Sequence, residues 1–205
     1  MCCLAVPYRE TLTQDNMNAA VELHHGLVRK LLVQHNGYES ATEGDAFILA
    51  FHTPSHALHW AQAFQQGLLH LAWPEQLLQL EAGAPVWAAP GKQWSALDTS
   101  PASTASHDMP GSVLVFRGLR VRVGLHSGVY EGSDALLNKT TGRMQYGGRP
   151  LAMAKAVGDV GQGGMVLLSQ AAFEQLPVAK LASFGMLLNM GDYVFTKDES
   201  LPATP

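Results

Sequence analysis

An α+β sandwich, with helices packed on one sheet, is the fold class that this chain of 205 residues predicts. Three observations predict it. Apolar residues recur at three- and four-residue steps in two long stretches and alternate with polar ones in others, and the two patterns are mixed along the chain instead of segregated. With 47% hydrophobic and 15% charged residues, the chain can bury a real core as one globular domain or one with a large insertion. No internal repeat at the period of a solenoid or propeller is present.

The first predicted element is a helix from about Asp15 to His35, in which Met17, Ala20, Val21, Leu27, Val28, Leu31 and Leu32 form one apolar face. Asp15 or Thr13 can cap it, and Asn36-Gly37 stops it. A hairpin follows, with Tyr38 to Thr42 extended, Glu43-Gly44-Asp45 as the turn and Ala46 to Phe51 as the second strand. Thr53 then caps a helix that opens with Pro54, carries Leu58, Ala61, Phe64, Leu68 and Leu71 on one face and ends near Trp73-Pro74. From about 81 to 111, Ala, Pro, Gly and Ser crowd together without periodicity, which reads as an inserted mobile loop. Leu119, Val121, Val123 and Leu125 alternate with Arg120, Arg122 and Gly124, the pattern of a half-buried strand with its arginines toward solvent. Glu131 to Gly148 is polar and Gly-rich. Pro150 to Val157 reads as a short helix, Met165 to Ser169 as a strand, Gln170 to Leu176 as a helix, and Leu187 to Phe195 as a last hairpin through Gly191-Asp192. The domain thus covers 1–195, with 196–205 as a tail.

Charge and composition exclude several functions. The 13 basic residues do not outnumber the 17 acidic ones, the net charge is −4, and no basic run exceeds Arg29-Lys30, so no nucleic-acid surface is indicated. Any phosphate handled here is small. Cys2 and Cys3 are too few for a disulfide framework and point to a reducing compartment. No run approaches the roughly 18 apolar residues of a membrane helix, and the N-terminus lacks the order of a signal peptide. His52, His56 and His59 have helical spacing, yet no Cys or Glu completes a ligand set, and surface histidines are the commoner outcome. His24 and His25 point to different helix faces. The glycines of GDVGQGG lack the Lys-Ser/Thr pair of a phosphate loop, and the turn before the next strand is reason enough for them. No Gly-x-Ser-x-Gly elbow supports a serine hydrolase.

The stretch NGYESATEGDAFILAF, residues 36–51, carries the most functional information. An Asp at a hairpin turn presents its oxygens from a rigid frame, a geometry that suits a hard cation such as Mg²⁺ holding substrate phosphates. Asp45 can equally do no more than close the turn, as most Gly-Asp pairs do. On this stretch alone the plain turn is the favoured reading.

Three segments in order carry a resemblance: NGYESATEGDAFILAF, LRVRVGLHSG, and TGRMQYGGRPLAMAKAVGDVGQGGMVLLSQAAF. Together they resemble the catalytic domain of the class III nucleotidyl (adenylate and guanylate) cyclases, and the algal and protist branch more than the animal enzymes. The resemblance implies a ferredoxin-like βαββαβ core that pairs head to tail with a second cyclase domain, as a homo- or heterodimer, so that nucleotide sites form between two chains. It implies conversion of ATP or GTP to the 3′,5′-cyclic monophosphate with loss of pyrophosphate. It implies a two-metal Mg²⁺ or Mn²⁺ mechanism in cyclic-nucleotide signalling. The implied localisation is cytoplasmic, alone or as the intracellular domain of a larger membrane protein.

Carried over residue by residue, the resemblance makes Asp45 a metal ligand, the second of the family's two metal aspartates. The first lies in a Phe-Thr-Asp-like motif on an opening strand, and here MCCLAVPYRETL resembles the segment just after that strand. The expectation is therefore a domain lacking its first strand, and a fragment is the physically easier explanation, because true loss would expose sheet edges. The family also has one more short strand after the region ending DYVFTKDE. The family's ribose-orienting Asn and transition-state Arg correspond to Ala152 and Ala156, and no catalytic residue is retained there. Arg149 and Lys155 are near but out of register. The base-selecting Lys corresponds to Ala41, while Gln145, at the family's base-contacting Asp, keeps a donor and an acceptor for a purine. The expected function is a cyclase-type domain inactive alone and at best the metal-bearing half of a heterodimer. The alternative is a non-catalytic regulatory or dimerisation module.

Overall fold

The computed structural model describes residues 2–4, 12–88, 110–130, 132–177, 179 and 185–193. In chain order the elements are β1 (Cys2–Leu4), α1 (Gln14–Gln34), β2 (Gly37–Glu43), β3 (Ala46–Phe51), α2 (Pro54–Leu69), α3 (Glu75–Leu78), β4 (Val86–Ala88), β5 (Val113–Phe116), β6 (Val121–Leu125), β7 (Ala135–Asn138), β8 (Arg143–Tyr146), α4 (Gly148–Val160), β9 (Val166–Leu168) and α5 (Gln170–Glu174). The main sheet has the order β2-β3-β1-β6-β9. Its first four strands are antiparallel neighbours, and β9 adds parallel to β6. With α1 between β1 and β2 and α2 between β3 and β6, this is the ferredoxin-like βαββαβ arrangement.

One expectation is corrected here. Cys2–Leu4 occupies the first-strand position at the centre of the sheet, pairing with β3 and β6, so a central strand is present. A ladder is built from main-chain groups, so a segment without the expected motif can still fill the place.

The core lies between the sheet and the pair α1 and α2. Ala20, Val28 and Leu31 of α1 and Leu58, Trp60, Ala61 and Phe64 of α2 are buried with Phe47, Val121 and Val123. Trp60 stacks on Phe64 at 5.0 Å. His24 joins this core with full burial, its ring 5.5 Å from Phe64 and 5.7 Å from Phe47. Strand alternation sends Gly124 to the opposite face, where α4 packs. A Cβ on Gly124 would lie 2.3 Å from the Ala154 carbonyl oxygen, so only glycine lets the helix come this close.

Element boundaries follow local chemistry. Thr13 precedes α1 but makes no side-chain cap, because its hydroxyl and N–H donate to Gln76 Oε1 instead, each at 3.2 Å. Asn36, at φ 54°, ends the helix turn in the left-handed region. Thr53 caps α2 by accepting from the His56 N–H. That helix stops at Leu69, before the expected Trp73, because Trp73 folds back to bury its ring and donate Nε1–H to the Leu68 carbonyl at 2.8 Å.

The predicted loop of 81–111 contains β4 at its start and is followed by β5, which pairs with it antiparallel; residues 89–109 lie outside the described set. The stretch read only as polar and Gly-rich holds, within residues 132–148, the β7–β8 hairpin. Asn138 organises its turn, its Oδ1 accepting from the Thr140 and Thr141 N–H groups. The expected last hairpin is not formed among residues 187–193, which have no strand; the remainder of that stretch lies outside the described residues. Arg122 is not simply solvated. Its guanidinium pairs with Asp159 at 2.7 Å and reaches the Asp159 and Gly161 carbonyls at the end of α4. Arg120 lies over the Phe116 ring at 4.9 Å.

Candidate functional site

The β2–β3 turn is built as the sequence predicts. Glu43 pairs with Ala46, and Gly44 takes φ +65°, a conformation that glycine adopts without strain. Asp45 follows it in the turn, half-buried, just before β3. The hairpin is braced from behind by an ion pair. Arg29 of α1 donates from Nε and Nη2 to the two oxygens of Glu39, both at 2.9 Å, and lies 5.4 Å from the centre of the Phe47 ring. These bonds, joined by one from Thr42, hold the Glu39 carboxyl at about 2. Next to this pair, burial keeps the His25 ring below its ordinary value; Arg29 adds to that, and the carboxylates of Glu39 and Asp45 oppose it. Asp45 therefore sits within electrostatic reach of α1.

The donor set can be tested against a divalent ion. Among the described residues no three His, Cys, Asp or Glu side chains form a group able to hold a metal. A hard ion bound mainly through substrate phosphates needs one or two carboxylates, and one carboxylate at this turn is that of Asp45. Continuing the register Cys2↔Phe47, the position across from Asp45 on β1 is Leu4. The described residues suit a single-carboxylate contact to a phosphate-bound ion and do not suit a closed two-ion site.

The other positions lie elsewhere. Gln145 is exposed on β8, opposite Leu136. Ala152 and Ala156 sit half-buried one turn apart on α4, and Lys155 is exposed beside them. Adjacent helical residues are about 100° apart, so Lys155 does not occupy the direction of Ala156. The β8 strand is docked on β2 through the Tyr146 N–H, which donates to Ser40 Oγ at 2.9 Å, and through Arg143, which donates to the Glu39 carbonyl at 2.8 Å. This second contact ties the Gln145 strand to the hairpin that carries Asp45.

A cavity of about 570 Å³ opens between β3 and β6, and none of Asp45, Gln145, Ala152 or Ala156 lines it. At its rim the His126 ring is within 2.8 Å of Ser169 Oγ, which also caps α5. Burial, helped by Arg149, lowers the proton affinity of His126. Sequence reasoning missed His126 and the β7–β8 hairpin. The four-residue turn Lys139-Thr140-Thr141-Gly142 between Ala135–Asn138 and Arg143–Tyr146 was the available signal for the hairpin.

The adenylate and guanylate cyclase catalytic domain family matches residues 8–190, and the chain belongs to that family. The adenylate cyclase of Lachancea kluyveri is 33% identical over 158 residues, which is 77% of this chain and 7% of that protein. The receptor-type adenylate cyclase of Trypanosoma equiperdum is 35% identical over 165 residues, covering 78% of this chain and 33% of that protein. This chain therefore spans a minor part of the curated relatives it matches. A solved structure of adenylate cyclases from Trypanosoma brucei in their monomeric state superposes with a TM-score of 0.64 at 27% identity, covering 89% of this chain and 76% of that one. Among the described residues no helix is long and apolar enough to cross a membrane.

Proposed function

We propose that this chain is a nucleotidyl cyclase-type domain of cyclic-nucleotide signalling that turns over no substrate by itself and serves at best as the metal-bearing half of a heterodimer. The observation that carries this is that alanines stand at positions 152 and 156 of α4 while Asp45 is held on a braced turn. Cyclisation needs the ribose 3′-hydroxyl to attack the α-phosphorus while charge builds on the phosphoryl oxygens, so catalysis is chiefly charge stabilisation and metal placement. Alanine supplies neither a donor nor a charge, and losing one such contact costs about 10²–10³-fold in rate. Asp45 is the metal contact, for Mg²⁺ or Mn²⁺ held by a triphosphate, and Gln145 is the remaining purine contact. The partner is a second cyclase domain that provides Asn, Arg and base contacts, and the setting is cytoplasmic.

The second reading, a non-catalytic regulatory or dimerisation module, is favoured by one observation, Leu4 across from Asp45. A single experiment separates the two. The chain and its Leu4→Asp variant are assayed with Mn²⁺ and ATP or GTP, alone and mixed with a cyclase domain that retains Asn and Arg but lacks its own metal aspartates. Product is expected only from Leu4→Asp with the partner. No product from that mixture, with dimer formation shown by sedimentation, leaves the regulatory module as the function.

A further inference from the structure

Strand β2 is an outer strand of the main sheet and carries one residue more than its ladder needs. Glu39 pairs with Leu49 and Ala41 with Ile48, so Ser40 has no partner position of its own on β3. A bulge of this kind re-aims the extra side chain, and bulges are concentrated at sheet edges and beside functional sites. Ser40 is aimed at β8. It is buried, at 8% exposure, and its Oγ accepts from the Tyr146 N–H at 2.9 Å. The same two strands meet at two further points: Arg143 donates to the Glu39 carbonyl at 2.8 Å, and the Tyr38 and Tyr146 rings lie edge to face with centres 6.0 Å apart.

We propose that Ser40 is the positioning residue for Gln145, fixing where β8 holds that side chain for a purine. Among the described residues β8 shares a ladder with β7 alone and with no strand of the main sheet. A hairpin of two short strands is marginally stable by itself, so its place is set by what it is tied to. Leu136 and Leu137 of β7 are exposed, so that strand adds little apolar anchorage. Gln145 stands between the tethered residues Arg143 and Tyr146. Strand alternation turns it to the face opposite Tyr146, and it is exposed. The bond from the Tyr146 N–H to Ser40 therefore holds the main chain that carries Gln145 and leaves the Gln145 amide open to a ligand. The β2–β3 hairpin does not need the Ser40 hydroxyl, since its own ladder and the Arg29–Glu39 pair hold it. What Ser40 fixes is the separation of two strands, and a side chain that contacts a ligand must be held to within about 0.5 Å by its supporting residues. The role given to Ser40 rests on the reading of Gln145 as a purine contact and requires binding alone, not turnover.

The test is calorimetric titration, in the presence of Mn²⁺, of ATP, GTP and tripolyphosphate into the full chain and its Ser40→Ala, Arg143→Ala and Gln145→Ala variants, with hydrogen exchange followed at the Tyr146 amide. Tripolyphosphate supplies the phosphates and the metal without a base. Ser40→Ala is expected to weaken ATP and GTP binding by about fivefold or more, the worth of one hydrogen bond, to leave tripolyphosphate binding unchanged, and to speed exchange at Tyr146. Arg143→Ala keeps the bulge, is expected to show the same split between nucleotides and tripolyphosphate, and is decisive where Ser40→Ala does not fold. Equal weakening of all three ligands would make Ser40 a strut of the whole domain and overturns the proposal. Unchanged nucleotide binding in Ser40→Ala, where Gln145→Ala weakens it, overturns the positioning role alone. Unchanged binding in Gln145→Ala, or no nucleotide binding by the unmodified chain, refutes the purine contact itself and the positioning role with it.

Discussion

His24 shows how one residue can set the response of this domain to acid. It is fully buried, and neither ring nitrogen has a hydrogen-bond partner. Burial, reinforced by His25, lowers its pKa from 6.5 to about 3. The unfolded chain therefore takes up the proton first, and stability present above pH 6.5 is lost as pH falls toward 3. Glu39 acts in a lower window: its carboxyl lies at about 2 when folded against 4.5, so its contribution is lost between those values. His24→Leu should raise the urea midpoint at pH 7 and flatten the decline between pH 6.5 and 4.5, where Glu39 is silent. Unchanged slopes for the two proteins in that interval would exclude a neutral buried ring. At Asp45 the expected outcome is different. Asp45→Asn should leave the hairpin folded, since Gly44 makes the turn, while weakening Mn²⁺-dependent nucleotide binding at least about tenfold, as measured by calorimetric titration. His24 was not legible as core, because a histidine on an apolar helix face gives no sign of whether the neighbouring face will close over it. Asp45 was legible as a turn residue because Gly44 beside it is needed at positive φ.

At the scale of elements, α1, the β2–β3 hairpin and α2 follow their sequence patterns closely. Local signals agree there: apolar periodicity, the Thr53 cap and the Asn36-Gly37 stop all point the same way. The β4–β5 ribbon and the β7–β8 hairpin were hidden for the opposite reason. Strands of three and four residues carry too little alternation to rise above loop composition, and their pairing is settled by what they meet. Helix α4 depends on such a meeting. Gly124 lies under the Ala154 carbonyl and the Gly158 N–H, so Gly124→Val must push α4 from the sheet. A loss of about 1–3 kcal/mol in urea unfolding is expected, as for other overpacked cores. Gly26→Ala, where nothing lies within 4 Å of the added carbon, should cost nothing by the same measurement. Equal effects would mean that α4 does not rely on this close approach.

For the whole molecule, the proposed function turns on which chain supplies which half of a site. Two variants of this one chain can test that division: Leu4→Asp, which adds to the Asp45 side, and Ala152→Asn with Ala156→Arg, which rebuilds the α4 side. Neither is expected to form appreciable cyclic nucleotide alone, and their mixture is expected to exceed the sum of the two by about 10²-fold or more with Mn²⁺. A mixture no better than the sum would mean that the halves do not face each other across two chains. The fold itself was legible as mixed helices on a sheet, and the family resemblance added the strand order. The central position of Cys2–Leu4 was not legible, since three residues without a pattern reveal nothing of the ladders on either side.

Residue order alone determined the helices, the Asp45 turn, the absence of an Asn or Arg at positions 152 and 156, and the family, because each is written in local spacing or in identity at a position. Tertiary structure decided that β1 sits at the centre of the sheet, that Arg29 and Glu39 brace the hairpin, and that His24 is sealed without a hydrogen-bond partner. Each of these joins residues far apart in the chain, and the energy of such contacts comes from what packing excludes from water, which no local pattern records.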